Sequence, residues 1–129
     1  MNWTPFLILA AIVAVVLLVK NLGQISARDA LELLRNDALV VDVRSRGEFN
    51  SGHLAKAINL PLDEIETALP QRVKDKNQAL LLHCASGMRS GMAKSKLKRL
   101  GYTNVFNLGS YGRAEGILNQ SVSLAKPTQ

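Results

Sequence analysis

The chain is 129 residues long, which leaves room for one domain and a short appendage. Its single cysteine excludes an intramolecular disulfide, a Cys-x-x-Cys redox pair and a resolving thiol in the same chain. A net charge of +6 favours anionic partners, either small oxyanions or an acidic lipid surface, whereas 5% aromatic residues give no stacking platform for nucleic acid, and two histidines without grouped carboxylates give no readable metal site.

No side chain from residue 1 to 19 is charged, and residues 6–19 are unbroken apolar sequence. Thr4 suits a helix N-cap and Pro5 the first helical position. Residues 3–22 supply about the 20 residues that cross a bilayer, with Trp3 and Lys20 at the two interfaces. The first charge, Lys20, follows the apolar run, and residues 21–25 contain no Ala-x-Ala, so residues 1–22 are expected to be an uncleaved transmembrane anchor rather than a secretory leader. Lys20 and Arg28 follow the helix and no basic residue precedes it, which places the rest of the chain in the cytoplasm, where a lone thiol stays reduced. Residues 23–25 then read as a tether.

Ser26 with Asp29 three residues later is a capping pair for a helix to about Asn36 that turns Ala30, Leu31, Leu33 and Leu34 inward. Residues 38–43 are apolar on both alternating faces except at Asp42, the pattern of a strand covered on both sides in a parallel sheet. Ser45 with Glu48 repeats the capping spacing and predicts a short helical turn closed by Gly52 and His53. Residues 57–60, stopped by Pro61, read as a short strand, residues 62–69 show helical spacing, and residues 79–83 form the central strand. Residues 92–100 are a basic helix whose last turn carries Lys96, Lys98 and Arg99 before a C-capping Gly101, and residues 105–108 are a further strand. This alternation predicts an α/β domain of three layers around a mainly parallel sheet over residues 26–118, followed by a polar, flexible tail, residues 119–129.

Sites in such a sheet collect at the carboxyl ends of parallel strands. There the chain reads Cys84-Ala85-Ser86-Gly87-Met88-Arg89-Ser90, a strand end, a glycine-containing loop and a helix start. A lone cysteine at a strand end is ordinarily a small hydrophobe. Here Ser86, Gly87, Arg89 and Ser90 are poor core residues and good anion contacts, and a helix N-terminus favours the thiolate, so Cys84 reads as an accessible nucleophile cradled by backbone N–H groups. Alternation along the strand sends His83 to the opposite face, so a Cys84–His83 dyad is not expected, and His53 reads as a turn residue. Asp42 and Arg44 share one strand face and support the site, with Arg44 paired to Glu48 at helical spacing.

Asp42-Val43-Arg44, Glu48-Phe49, Gly52-His53-Leu54, Ala57-x-Asn59-Leu60-Pro61 and Cys84 opening a glycine-containing loop, in that order, resemble a single rhodanese domain over residues 26–118. The resemblance implies an α/β fold around a mainly parallel sheet, a persulfide carried on Cys84, and a transferred sulfur or anionic donor held by the N–H groups of residues 85–90. Related dual-specificity phosphatases need a Cys-x5-Arg loop; here four residues separate Cys84 from Arg89, which suits sulfane sulfur or thiosulfate better than phosphate. After the last strand the chain has Gly109-Ser110-Tyr111-Gly112 where the family often has a Gly-Gly pair, and its sole tryptophan is Trp3.

The function these readings imply is a sulfurtransferase that moves sulfane sulfur from thiosulfate or a persulfide donor to an external thiol or protein acceptor, with Arg89 orienting the anionic donor. A membrane-tethered sulfur-relay or binding module with little small-molecule turnover is the alternative from another class. An oxyanion enzyme such as a phosphatase or arsenate reductase is disfavoured by the loop length and the missing resolving cysteine.

Overall fold

The computed structural model describes residues 1–126, apart from the side chains of Lys20, Asn21 and Leu22. Its elements are α1 (Thr4–Leu22), α2 (Ala27–Arg35), β1 (Leu39–Asp42), α3 (Arg46–Ser51), β2 (Ile58–Asn59), α4 (Ile65–Arg72), β3 (Leu80–His83), α5 (Met88–Arg99), β4 (Val105–Gly109) and α6 (Tyr111–Ala125). The strands form one parallel sheet in the order β2-β1-β3-β4. β3 is central and buried at all four residues, as a strand covered on both faces must be.

Period-2 alternation divides the core. Val41, Val43, Leu80, Leu82, Cys84 and Val105 pack with Ala93 and Leu97 of α5 and Ile65 and Leu69 of α4 on one face. Leu81 and Leu108 pack with Ala30 of α2 and Ala114 and Ile117 of α6 on the other. The α/β, three-layer, parallel-sheet expectation holds in each of these respects.

The capping readings at Ser26 and Ser45 hold, whereas α1 begins at Thr4 itself rather than being capped by it, and α5 is closed at Leu100, one residue before Gly101. Ser26 Oγ accepts from Asp29 N–H, and Ser45 with Glu48 forms the full reciprocal capping box. The basic helix starts earlier than expected, at Met88, because Gly87 takes φ +93° and starts the helix with no side-chain cap. The chain does not fray after residue 118: α6 continues to Ala125, since Ala114, Ile117 and Leu118 recur at helical spacing and seal the α2 face. Residues 127–129 of the expected tail lie outside the described residues.

The tether reading of residues 23–25 is corrected. Gln24 makes a parallel bridge to Asn107, and Ile25 N–H donates to the Asn107 carbonyl at 3.0 Å, so the chain enters the domain as an extra edge on β4. Arg113 of α6 holds this edge by donating to the carbonyls of Ile25 and Leu108. Upstream, α1 forms where expected, and its apolar side chains are bare, from Phe6 at 64% exposed to Val19 at 64%. Among the described residues no helix is long and apolar enough to cross a membrane.

Candidate active site

Cys84 follows β3, and residues 85–87 curl back over it into α5. Gly87 makes this curl possible. A Cβ at Gly87 would lie 3.1 Å from Gln24 Nε2 and 3.3 Å from Gly109 Cα, on a backbone that L side chains rarely adopt. The loop is clasped from beneath by the β4–α6 turn: Cys84 N–H donates to Gly109 C=O at 3.3 Å, Tyr111 N–H donates to Ala85 C=O at 3.3 Å, and Ser86 bridges Ser110.

The sulfur is ringed by donors. Gly87 N–H points at Sγ from 3.0 Å, and the Ser90 hydroxyl lies 3.5 Å away. Burial pushes the thiol up, but the Ser90 hydroxyl and the N–H groups of Ser90, Gly87 and Ser86 outweigh it, and the net shift is downward from the ordinary thiol value. Of the six residues, 85–90, expected to hold the transferred sulfur or the donor, Ser86, Gly87 and Ser90 direct polar groups at Cys84 Sγ itself. Ala85 is exposed and engaged through its carbonyl, Met88 N–H turns to Ser86 Oγ at 3.5 Å, and the Met88 side chain is 68% exposed.

Two expectations are corrected. Cys84 is not open to solvent: it is 0% exposed, because the loop and the first turn of α5 fold over a side chain whose Cβ is already in the α5 core. Glu48 does not pair with Arg44. Glu48 accepts two hydrogen bonds from the Arg89 fork, at 2.6 and 2.9 Å, while the capping box turns it toward the active loop. Hydrogen bonding from Arg89, helped by Ser45, brings the Glu48 carboxyl down to about 2. Arg89 in turn is raised, first by its bond to Glu48 and also by facing Cys84.

Arg44 is bonded instead to Asp42, with Nη2–Oδ2 at 2.7 Å, and also donates to the Gly52 carbonyl at 2.8 Å. This pair lies on the α2/α6 side of the sheet, across from the sulfur, beside buried His83 and under Tyr111, whose ring centre is 4.8 Å from the Arg44 guanidinium. His83 is on the opposite face from Cys84, as alternation requires. His53 stacks on Phe49 and bonds its carbonyl at 3.0 Å, away from the sulfur. Among the described residues no group of three or more His, Cys, Asp or Glu side chains is gathered as a metal site.

The sequence reading missed Asn107. It lies within the strand expected over residues 105–108, yet it bonds Ser90, Gly87 and Gly109 beneath the loop. The available signal was a lone amide in a strand buried on both sides, where every polar group needs a partner.

Comparison with known proteins agrees with this geometry. The family model described as the rhodanese-like domain matches residues 26–112. Thiosulfate sulfurtransferase PspE of Escherichia coli is 39% identical over 69 residues, 54% of this chain and 66% of that protein. A tRNA uridine(34) hydroxylase of Hamiltonella defensa is 33% identical over 89 residues, 65% of this chain but 25% of that protein. The chain thus spans under two thirds of these relatives' length, and only a quarter of the hydroxylase. Among solved structures, a rhodanese with anions from E. coli superposes with TM-score 0.56 at 36% identity, covering 57% of this chain and 87% of that one. A human single-domain sulfurtransferase, TSTD1, superposes with TM-score 0.61 at 27% identity, covering 71% and 94%. With the strand order, the loop and the family match in agreement, the chain belongs to the rhodanese-like domain family.

Proposed function

We propose that this chain is a sulfurtransferase that carries sulfane sulfur as a Cys84 persulfide. The observation that carries the reading is the Gly87 N–H at 3.0 Å from Sγ, joined by the Ser90 hydroxyl, an array of donors around one sulfur. Cys84 thiolate attacks the outer sulfur of thiosulfate, the S–S bond of the donor breaks, and sulfite leaves with the electron pair. An acceptor thiolate then attacks the outer sulfur of the persulfide, taking it and returning Cys84 as thiolate. Each state is anionic, so fixed N–H dipoles at the α5 N-terminus favour it without reorganising. Arg89, held by Glu48, faces the sulfur and orients the sulfonate of the donor.

Burial of Cys84 means that the loop opens to admit the donor, and it favours small donors over bulky ones. It also lends weight to a second reading, a relay in which a protein acceptor opens the loop. Met88 and Met92 beside the loop are 68% and 56% exposed, and with Val15, Val16 and Val19 of α1 they line a groove of about 660 Å³ that suits such a partner. The bare surface of α1 supports its seating against lipid as the alternative to lining that groove.

The full chain incubated with thiosulfate is expected to gain the mass of one sulfur, and Cys84→Ser is not. A parent chain left unlabelled by thiosulfate and by low-molecular-weight persulfides removes the sulfurtransferase reading. Rapid transfer to a protein thiol with negligible turnover of cyanide selects the relay. Flotation of the full chain with lipid vesicles tests the anchor, which is lost if the chain stays behind.

A further inference from the structure

Asn107 of β4 is 5% exposed and uses its amide three times. Nδ2–H donates to the Gly87 carbonyl at 3.0 Å, and Oδ1 accepts from Gly109 N–H at 2.9 Å and from the Ser90 hydroxyl at 2.7 Å. The orientation of the amide is fixed by its backbone partners, because Gly109 N–H can only donate and the Gly87 carbonyl can only accept. Oδ1 therefore faces Ser90 and takes its one hydroxyl proton. That same hydroxyl is 3.5 Å from Cys84 Sγ, and the glycine whose carbonyl Asn107 holds is the one whose N–H lies 3.0 Å from Sγ. Two of the groups that reach the sulfur are thus fastened to one side chain.

We propose that Asn107 is a positioning residue for Cys84: it fixes Gly87 N–H on the sulfur and serves as the alternate acceptor for the Ser90 hydroxyl, which donates to Asn107 when Sγ is neutral and to Sγ when it is a thiolate. The proposal rests on the sulfur-transfer reading and deepens it. As the S–S bond to the donor sulfur forms, charge moves from Sγ to the outer sulfur and the Ser90 hydroxyl turns back to Oδ1. When the acceptor removes that sulfur, Sγ regains its charge and the hydroxyl returns. Rotation about one Cβ–Oγ bond suffices for this exchange, so once the loop has admitted the donor the hydroxyl answers the charge of the sulfur without further backbone movement. Arg89 of α5, with its partner Glu48 of α3, faces the sulfur, Lys94 of α5 lines the groove beside Gly87 and Asn107, Arg113 of α6 lies against Gly109, and His83, Asp42 and Arg44 lie across the sheet; none of these seven side chains hydrogen-bonds Asn107. The Asn107 network is therefore separable from them.

The test uses the full chain and no sulfur donor, so its failure is distinct from failure of the transferase reading. The thiolate is followed by ultraviolet absorbance against pH, with Cys84→Ser subtracted, and the Asn107 side-chain amide by NMR. In the parent the amide resonances are expected to shift with the midpoint of the thiolate, and in Ser90→Ala that shift is expected to vanish while Cys84 still titrates. A parent without the shift, or a shift undiminished in Ser90→Ala, overturns the proposal. Asn107→Asp keeps the size but sets a carboxylate against the Gly87 carbonyl and grips the Ser90 proton more tightly; it is expected to raise the thiolate midpoint by about one pH unit or more, tenfold less thiolate, and by less in the Ser90→Ala background. Equal shifts in the two backgrounds overturn it as well. The parent NMR measurement decides the matter even where the Asp variant fails to fold.

Discussion

Two polar clusters end the parallel strands, one on each face of the sheet, and they are built on opposite plans. On the α5 face, Cys84 is surrounded by donors from a loop, Gly87, Ser90 and beneath them Asn107, with hydrogen-bonding capacity well used. On the α2/α6 face, Asp42 and Arg44 satisfy each other while His83, fully buried, has no hydrogen-bond partner for either ring nitrogen among the described residues. In the proposed reaction the first cluster stabilises a charge that appears and disappears on the sulfur; the second fixes the strand end and the turn to α3. His83 and Cys84, adjacent in sequence, thus belong to opposite clusters.

That division is broken most directly at Arg44. Removing it leaves Asp42, 0% exposed, as an uncompensated buried charge, so Arg44→Ala is expected to cost about 3–5 kcal/mol in denaturant unfolding. In the protein that remains folded, the thiolate titration of Cys84 should stay where it was. A large displacement of that titration would mean that the two faces are coupled and the division is false.

Gly87→Ala attacks the other face. Its positive φ and the close approach of Gln24 and Gly109 make the substitution cost about 1–3 kcal/mol in stability. The larger effect is on chemistry: displacing one preorganised donor is expected to slow persulfide formation by about 10²–10³-fold in single-turnover mass measurements. A variant as fast as the parent would show that the N–H at 3.0 Å does no catalytic service.

How much of this was legible is best seen at individual residues. The caps at Ser26 and Ser45, the strand end at His83 and the opposed directions of His83 and Cys84 follow from local periodicity, and the structure repeats them. What eluded the reading depends on contacts far apart in the chain. Glu48 meets Arg89 across 41 residues, Ser90 meets Asn107 across 17, and Tyr111 covers His83. At Glu48 the local rule offered Arg44, four residues away, but the capping box had already turned the carboxylate toward the loop. The burial of Cys84 was hidden for a similar reason, since how far residues 85–87 fold back depends on the clasp from Gly109 and Tyr111.

Arg89 sharpens the comparison at its rim. Arg89→Ala is expected to raise KM for thiosulfate about tenfold or more, the worth of one charge-assisted contact, with a smaller loss in kcat. Glu48→Gln, which keeps Arg89 but releases its fork, should raise KM by less. The Glu48 carboxyl is brought down to about 2 from 4.5, so the stability its clamp contributes is full above pH 4.5 and declines as pH falls from there, while in the folded protein the clamp itself holds until about pH 2. An acid titration of Glu48 by NMR with an ordinary midpoint would mean that the clamp is not formed in solution.

The smallest effect belongs to His83, and its sign distinguishes the two faces. Burial lowers its pKa below 6.5, opposed by Asp42, whose Oδ2 is 3.9 Å from Nε2, and reinforced by Arg44. A base whose folded value is depressed binds fewer protons folded than unfolded between the two values, so stability falls as pH drops below 6.5, with a slope of at most about 1.4 kcal/mol per pH unit. His83→Phe keeps a ring against Tyr111 and removes two unpaired nitrogens, so it is expected to stabilise the domain by about 1 kcal/mol near neutrality and to abolish that slope. Denaturant midpoints measured for both proteins across this range give the answer. If the parent instead holds its stability as pH falls, attraction to Asp42 offsets the burial of protonated His83, and the α2/α6 cluster is as responsive to charge as the one around the sulfur.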